Sequence, residues 1–368
     1  MVKKKEEQTT GKNIGKNMCK IEQKLQRKHL IALSFFLPLL VMTGCCIVFG
    51  VQPFGDNSLL IIDGLHQYMP FYSVLYDKLK GGEPLFYSFR SGLGINFLSL
   101  FSYYLSSPFN LLILFFKKSQ LNMAVSMIIV LKIACSGMTA GIYFSSKSKK
   151  QGFSTVMISM AYALSSYMVG YCWNVMWLDA IMIFPIIMMG LERLIEKKDG
   201  RLYCIALFYA LYCNYYIAFM ICIFAVIWYL LYSFKSIKQF FFRGIAFAFY
   251  SFLAAGMAAI LLIPAYMGIK QTASGETMQL PEHSFLTSAA DLLNRQFALW
   301  SPISHDNFDG NANLYIGIFS ILAVGLYVLN GEIKVSEKIK KVLLIGIFYL
   351  SFSEMILNFI WHGFHDQY

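Results

Sequence analysis

Asp63, His66, Gln67 and Tyr68 stand within six positions of one another in the stretch LLIIDGLHQYMPFY (59–72). A carboxylate beside an imidazole, an amide and a phenol is suited to general acid–base chemistry on a hydroxylated substrate. Asp63 lies between an apolar run and an aromatic one, which places it at a membrane surface, where it could take a proton from a hydroxyl. His66 and Gln67 could hold a phosphate or a sugar hydroxyl. Tyr68, with Phe71, Tyr72 and Tyr76, could stack on a sugar ring. A plainer role also fits, in which Asp63 caps a helix beginning near His66 and the tyrosines form an interfacial belt.

Other ionisable residues extend the set. Arg90, in GGEPLFYSFRSGLGINF (81–97), is the strong anion donor nearest to this cluster, or else a surface or headgroup contact. The glycines around it lack the GxGxxG spacing and no strand precedes them, so they do not form a phosphate loop. Asp179, in WNVMWLDA (173–180), either caps a helix or faces the same cavity as Asp63. Lys132 and Glu354 fall inside apolar runs, where a charge is costly and marks function by default. Lys132 either neutralises a lipid phosphate or pairs with an acid, whereas Glu354 lies nearer the outer end of its run. Arg295 is a further cation. The string HDNFDGNAN (305–313) is rich in oxygen ligands but lacks the closing Glu of an EF-hand, and it reads as a polar loop. No metal-ligand set is legible. The cofactor is therefore undetermined, although a divalent metal would suit a phosphate-bearing substrate.

The elements that must position these residues are membrane helices. The chain is 57% hydrophobic and only 14% charged, against about 25% charge in a soluble domain. Its net charge of +11 sits in short clusters between apolar runs. That pattern marks cytoplasmic loops and excludes a nucleic-acid groove. The eight cysteines form no CxxC and read as small buried hydrophobes. Apolar runs at 30–50, 121–144, 153–171, 179–195, 202–216, 217–233, 244–266, 314–330 and 342–361 predict nine spans. The first is too long for a signal peptide and is retained. With the N-terminus inside, and with 97–116 re-entrant or interfacial and broken at Ser106-Ser107-Pro108, the cytoplasmic segments hold 23 of the 31 Lys and Arg. The expectation is an all-α polytopic membrane protein of about nine transmembrane helices. A disordered basic cytoplasmic segment (1–29) precedes a single transmembrane domain (30–368). Its large outer loops are 51–120, carrying interfacial helices, and 267–313. Eleven of the twenty Asp and Glu, Asp63 among them, then face outward.

The run DGLHQYMPFYSVLYDKLKGGEPLFYSFRSGLGINFLSLFSYYLSSPFNLL (63–112) resembles the first outer loop of the YfhO family of bacterial membrane proteins. WLDAIMIFPIIMMGLERLI (177–195), CNYYIAFMICIF (213–224), LYIGIFSI (314–321) and NFIWHGFHD (358–366) follow in the family's order. Family members are much longer, and this chain stops at HGFHDQY inside a family motif, so it reads as the N-terminal portion of a longer protein. The resemblance implies a GT-C-like glycosyltransferase in the bacterial cell membrane. Such an enzyme takes a sugar from a polyprenyl-phosphate carrier and passes it to a teichoic acid or another cell-surface polymer. A first-outer-loop acid does the central chemistry in such enzymes, and Asp63 occupies that place. The implied partners are the lipid bilayer, the lipid-linked donor, the polymer acceptor and a separate glycosyltransferase that makes the donor. Two alternatives remain: a transporter of lipid-linked sugars or polymers, and a non-catalytic fragment that supports a partner chain.

Overall fold

Every apolar run singled out in the sequence carries helix in the computed structural model, which describes residues 27–91, 93–147, 152–271, 280–297 and 313–364. Residues 305–312 of HDNFDGNAN, the basic segment before Arg27 and residues 148–151 lie outside the described residues. The first half of the chain holds α1 (Arg27–Val48), α2 (Met69–Gly81), α3 (Phe97–Tyr104), α4 (Leu121–Lys147), α5 (Phe153–Ala163), α6 (Ser166–Gly170) and α7 (Leu178–Lys197). There follow α8 (Arg201–Cys213), α9 (Tyr215–Leu231), α10 (Ile237–Ile269), α11 (Ala289–Asn294), α12 (Ile318–Leu329), α13 (Val335–Ser353) and α14 (Met355–Trp361). Among the described residues the one sheet is a small antiparallel pair, β1 (Tyr87–Ser88) with β2 (Ile95–Asn96). The protein is an all-α polytopic membrane protein.

Four segments are long and apolar enough to cross a bilayer by themselves: Arg27–Val48, Lys118–Lys147, Phe153–Gly170 and Ile237–Ile269. The helix through Lys118–Lys147 is the centre of the bundle, with 67% of its apolar window buried, against 22% for α1 and 17% for α10. The last two therefore turn broad apolar faces outward, as lipid-facing helices do. Close approach of α1 to α4 depends on Gly137 and Gly141. A Cβ at Gly137 would meet the Ser34 carbonyl oxygen at 2.2 Å, and one at Gly141 the Ser34 hydroxyl at 2.7 Å. Small residues four apart let membrane helices touch backbone to backbone.

Two departures from regular helix have local causes. The run 202–233 is divided at Asn214, whose extended backbone ends α8 and whose side chain accepts from the Ile217 N–H to start α9. The resulting α8 and α9, of 13 and 17 residues, fall short of the roughly 20 that a straight span needs. The run 97–116 is a helix pair bent by 100°, α3 followed by a 3₁₀ helix, Pro108–Phe115. Ser107 caps the second piece through the Phe109 N–H, and Pro108 cannot continue the first. Its shape is that of a broken span or a re-entrant loop.

The sidedness deduced from the basic clusters carries its own test. In a cysteine-free background, Asp56→Cys should react with an impermeant maleimide added to intact cells, and Ser336→Cys should react only after permeabilisation. Both side chains sit at exposed positions. The opposite pattern would invert the topology.

Candidate functional site

Ile62 adopts φ 50, a left-handed conformation that is an outlier for a β-branched residue and is a place where strain collects. The chain then enters a wide π-type turn, Gly64–Tyr68, that runs directly into α2. Gly64 fits this corner because a Cβ there would press on Leu60 at 3.1 and 3.2 Å. Asp63 sits between the two, exposed, and its carboxylate makes no capping hydrogen bond to the turn it precedes. The capping role allowed by the sequence is thus not the one its side chain fills.

Beside Asp63 the turn presents a phenol and an amide. The Tyr68 hydroxyl donates to Asn174 Oδ1 at 2.8 Å, while the ring stacks on Trp173 and leans on Tyr104. Burial above all, reinforced by nearby Tyr104 and Asp63, pushes the Tyr68 hydroxyl well above the ordinary phenol range, so it stays a donor at any physiological pH. Gln67 hydrogen-bonds the Tyr104 hydroxyl. His66 is exposed on the same turn.

From Tyr104 a chain of rings continues across the bundle. Tyr103 lies edge-on to Tyr104 at 4.6 Å between centroids. Tyr216 lies 6.3 Å from Tyr103, Trp177 lies 6.2 Å from Tyr216, and Trp177 donates to the Tyr103 hydroxyl at 3.4 Å. The far end is His362, whose Nδ1 hydrogen-bonds the Tyr216 hydroxyl. Burial holds the His362 imidazole below its usual value, which leaves it neutral at pH 7. The arrangement is an aromatic floor of rings tilted against one another, with one carboxylate near its Tyr104 end.

Below this floor a buried polar knot fixes the broken helix. Lys132 and Asp179, both fully buried, pair at 2.6 Å. Lys132 also donates to the Val175 carbonyl, and Asp179 accepts from Ser107 at 2.8 Å and from Tyr209 at 2.9 Å. Ser106 donates to the Cys213 carbonyl, and Asn214 donates to the Tyr103 carbonyl. Asn110 receives the Tyr72 hydroxyl. The bend at Ser106–Ser107 is therefore keyed to α4, α7 and the α8–α9 junction at once.

The remaining sequence candidates are dispersed. Arg90, half exposed, is bound by Asp77 at 3.1 Å and Glu83 at 3.0 Å. Arg295 is buried at the end of α11. Glu354 caps α14, accepting from the Ile356 and Leu357 N–H groups. The structure thus brings Asp63, His66, Gln67 and Tyr68 together and joins Lys132 to Asp179. It places Arg90 in a separate ionic cluster with Asp77 and Glu83. Among the described residues no three His, Cys, Asp or Glu side chains gather where they could hold a metal. A cavity of about 520 Å³ lies apart from the floor, between Phe285–Asp291 and α13.

The family described as Bacterial membrane protein YfhO matches residues 34–366. The chain belongs to that family. No curated protein and no solved structure matches it. The match spans the Asp63 turn, the bent pair and the helices that carry the aromatic floor.

Tyr103, Tyr104, Trp177, Tyr216 and His362 were not singled out by sequence reasoning. Their signal was present, since YY recurs at 103–104 and 215–216, and WHG at 361–363 lies in a family-like motif. Nothing in their spacing shows that elements more than a hundred residues apart converge.

Proposed function

We propose that this YfhO-family chain is a glycosyltransferase that moves a sugar from a polyprenyl-phosphate carrier to an extracytoplasmic acceptor such as teichoic acid or another cell-surface polymer. The observation that supports it most is Asp63 itself: an exposed carboxylate, free of capping duty, held after a strained residue at the edge of an aromatic floor. Asp63 would take the proton of an acceptor hydroxyl as that oxygen attacks the anomeric carbon. The bond from that carbon to the carrier phosphate breaks, and the phosphate leaves with the electron pair. The floor of Tyr104, Tyr103 and Trp177 would hold the sugar face-on, while His66 and Gln67 meet hydroxyls. Arg90 would reach the leaving phosphate only by giving up its ion pairs with Asp77 and Glu83. No step is routed through a metal.

A transporter of lipid-linked sugars is the second reading, and the helix bent by 100° favours it, since broken helices mark many transport paths. The ion pair at the bend is closed on all sides, as binding within a static scaffold would have it. Transfer and translocation are separable. Proteoliposomes containing the full chain, a lipid-linked radiolabelled sugar and a teichoic-acid acceptor should yield labelled polymer. Movement of the lipid across the bilayer with no labelled polymer would establish the transporter instead.

A further inference from the structure

The β1–β2 hairpin turns apolar side chains away from the protein. Phe86 is 72% exposed, Phe89 80% and Leu93 fully, with Tyr87 and Ile95 exposed beside them. Yet its support is rigid. The buried Lys78 ammonium donates to the Pro84 carbonyl at 2.7 Å and to the Tyr87 carbonyl at 2.9 Å, and lies over the Phe97 ring at 5.1 Å. The Phe97 N–H donates to the Phe86 carbonyl. Gly94, at φ 115, passes so close to Tyr87 that a Cβ there would meet its hydroxyl at 2.2 Å. An uncovered apolar tip held this firmly marks an interaction surface.

Cations ring its base. Arg90 ties the hairpin to Asp77 and Glu83, and Lys118 bonds the same Asp77 oxygen at 2.6 Å. The Tyr76 hydroxyl donates to the Phe116 carbonyl at 3.0 Å, which holds the chain before Lys117 against α2, and Lys80 lies over the Tyr76 ring at 5.8 Å. Lys78, Lys80, Arg90, Lys117 and Lys118 thus meet two carboxylates, Asp77 and Glu83. Among the described residues no carboxylate pairs with Lys80 or Lys117; both are exposed, and half of the Lys118 side chain stays open. On the sidedness deduced from the basic clusters, these five are most of the eight Lys and Arg outside the cytoplasmic segments. They gather on a face that orientation rules leave poor in cations.

Lys118 opens the apolar segment Lys118–Lys147, so the cations stand where that helix enters the bilayer. A two-stranded hairpin cannot lie in hydrocarbon, because its outer backbone edges would go unbonded. Its side chains can, since an interfacial element buries its apolar face about 5–10 Å into the boundary with the acyl chains and keeps its cations at the headgroups. We propose that the β1–β2 hairpin seats in the bilayer surface, with Phe86, Phe89 and Leu93 among the acyl chains, and that Lys80, Lys117 and Lys118 bind the phosphate of an anionic phospholipid. The excess of cations over carboxylates selects a headgroup that carries no ammonium of its own. A phosphodiester polymer in water would match the cations but leave the apolar tip uncovered. The Asp63 turn leads into α2 and β2 leads into α3, so this seat sets the height of both. It serves transfer and translocation alike.

The test places a bimane label on Leu93→Cys of the full chain, in a cysteine-free background, in mixed phosphatidylcholine–phosphatidylglycerol vesicles. Nitroxides near the top of the acyl chains should quench the label, and aqueous iodide should not. A nitroxide carried on phosphatidylglycerol should quench about twofold more than one on phosphatidylcholine at equal mole fraction. Lys80→Gln with Lys117→Gln, which breaks no ion pair, should remove that preference at an unchanged melting temperature and an unchanged depth. If the double variant fails to fold, high salt should erase the same preference in the protein that keeps both lysines. Quenching by iodide, or equal quenching by the two lipids, would overturn the proposal. So would shielding from iodide that appears only when a glycerol-phosphate polymer is added, which would make the cations a polymer site.

Discussion

Lys132→Met should lower both the abundance and the melting temperature of the protein sharply. Lys132 is fully buried against Asp179 at 2.6 Å, near the middle of the most buried of the four long apolar segments. Methionine keeps its length and suits an apolar site, so packing is nearly preserved. What changes is the charge: Asp179 loses its cation and keeps only the Ser107 and Tyr209 hydroxyls as partners in a buried site. Removing one partner of a buried pair costs about 3–5 kcal/mol, more than the pair itself contributes, because the surviving charge is uncompensated. Lys132→Met combined with Asp179→Asn should recover most of the loss, since Asn still accepts from Ser107 and Tyr209. Detergent-solubilised melting curves of the two single variants and the double variant close the cycle. If Lys132→Met melted normally yet used the lipid donor poorly, Lys132 would be a phosphate ligand, and the closed pair would open during turnover.

The sequence showed that Lys132 needed an anionic partner or an aqueous path, but it could not choose between them. The partner lies 47 positions away, in a motif whose own acid had a cheaper explanation as a helix cap. Helix positions were more legible, because a long apolar run in a bilayer has few alternatives to helix. The break at Ser106-Ser107-Pro108 was legible too, through proline's missing N–H and the serine before it. The break between α8 and α9 was legible as well, since 202–216 and 217–233 divide at CNYY and Asn214 within it makes the cap. The site divides in the same way. Asp63 and Tyr68 are neighbours in sequence and were read as a group, whereas Tyr103, Trp177, Tyr216 and His362 meet only because the bent pair is drawn into the bundle.

Asp63→Asn should reduce sugar transfer by about 10²-fold or more while leaving membrane level and melting temperature unchanged. The Asp63 carboxylate stands free of the turn it precedes. It is exposed and makes no hydrogen bond to the turn that follows, so the fold draws little from it. The local shape is set instead by the left-handed Ile62, by the Leu60–Gly64 contact and by the bonds of Tyr68 and Gln67. Asn is nearly isosteric and can cap a helix, but it cannot take a proton. A structural role therefore predicts no change in transfer, and a basic role predicts its loss. Asp63→Glu separates charge from placement: it restores the proton acceptor one methylene further out and should recover part of the rate if the acceptor hydroxyl can shift toward it. The measurement is the sugar content of the surface polymer in a deletion strain complemented by each variant at matched membrane levels, together with donor turnover in proteoliposomes. Full transfer with Asn at position 63 would remove this carboxylate from the mechanism and leave the aromatic floor without its base.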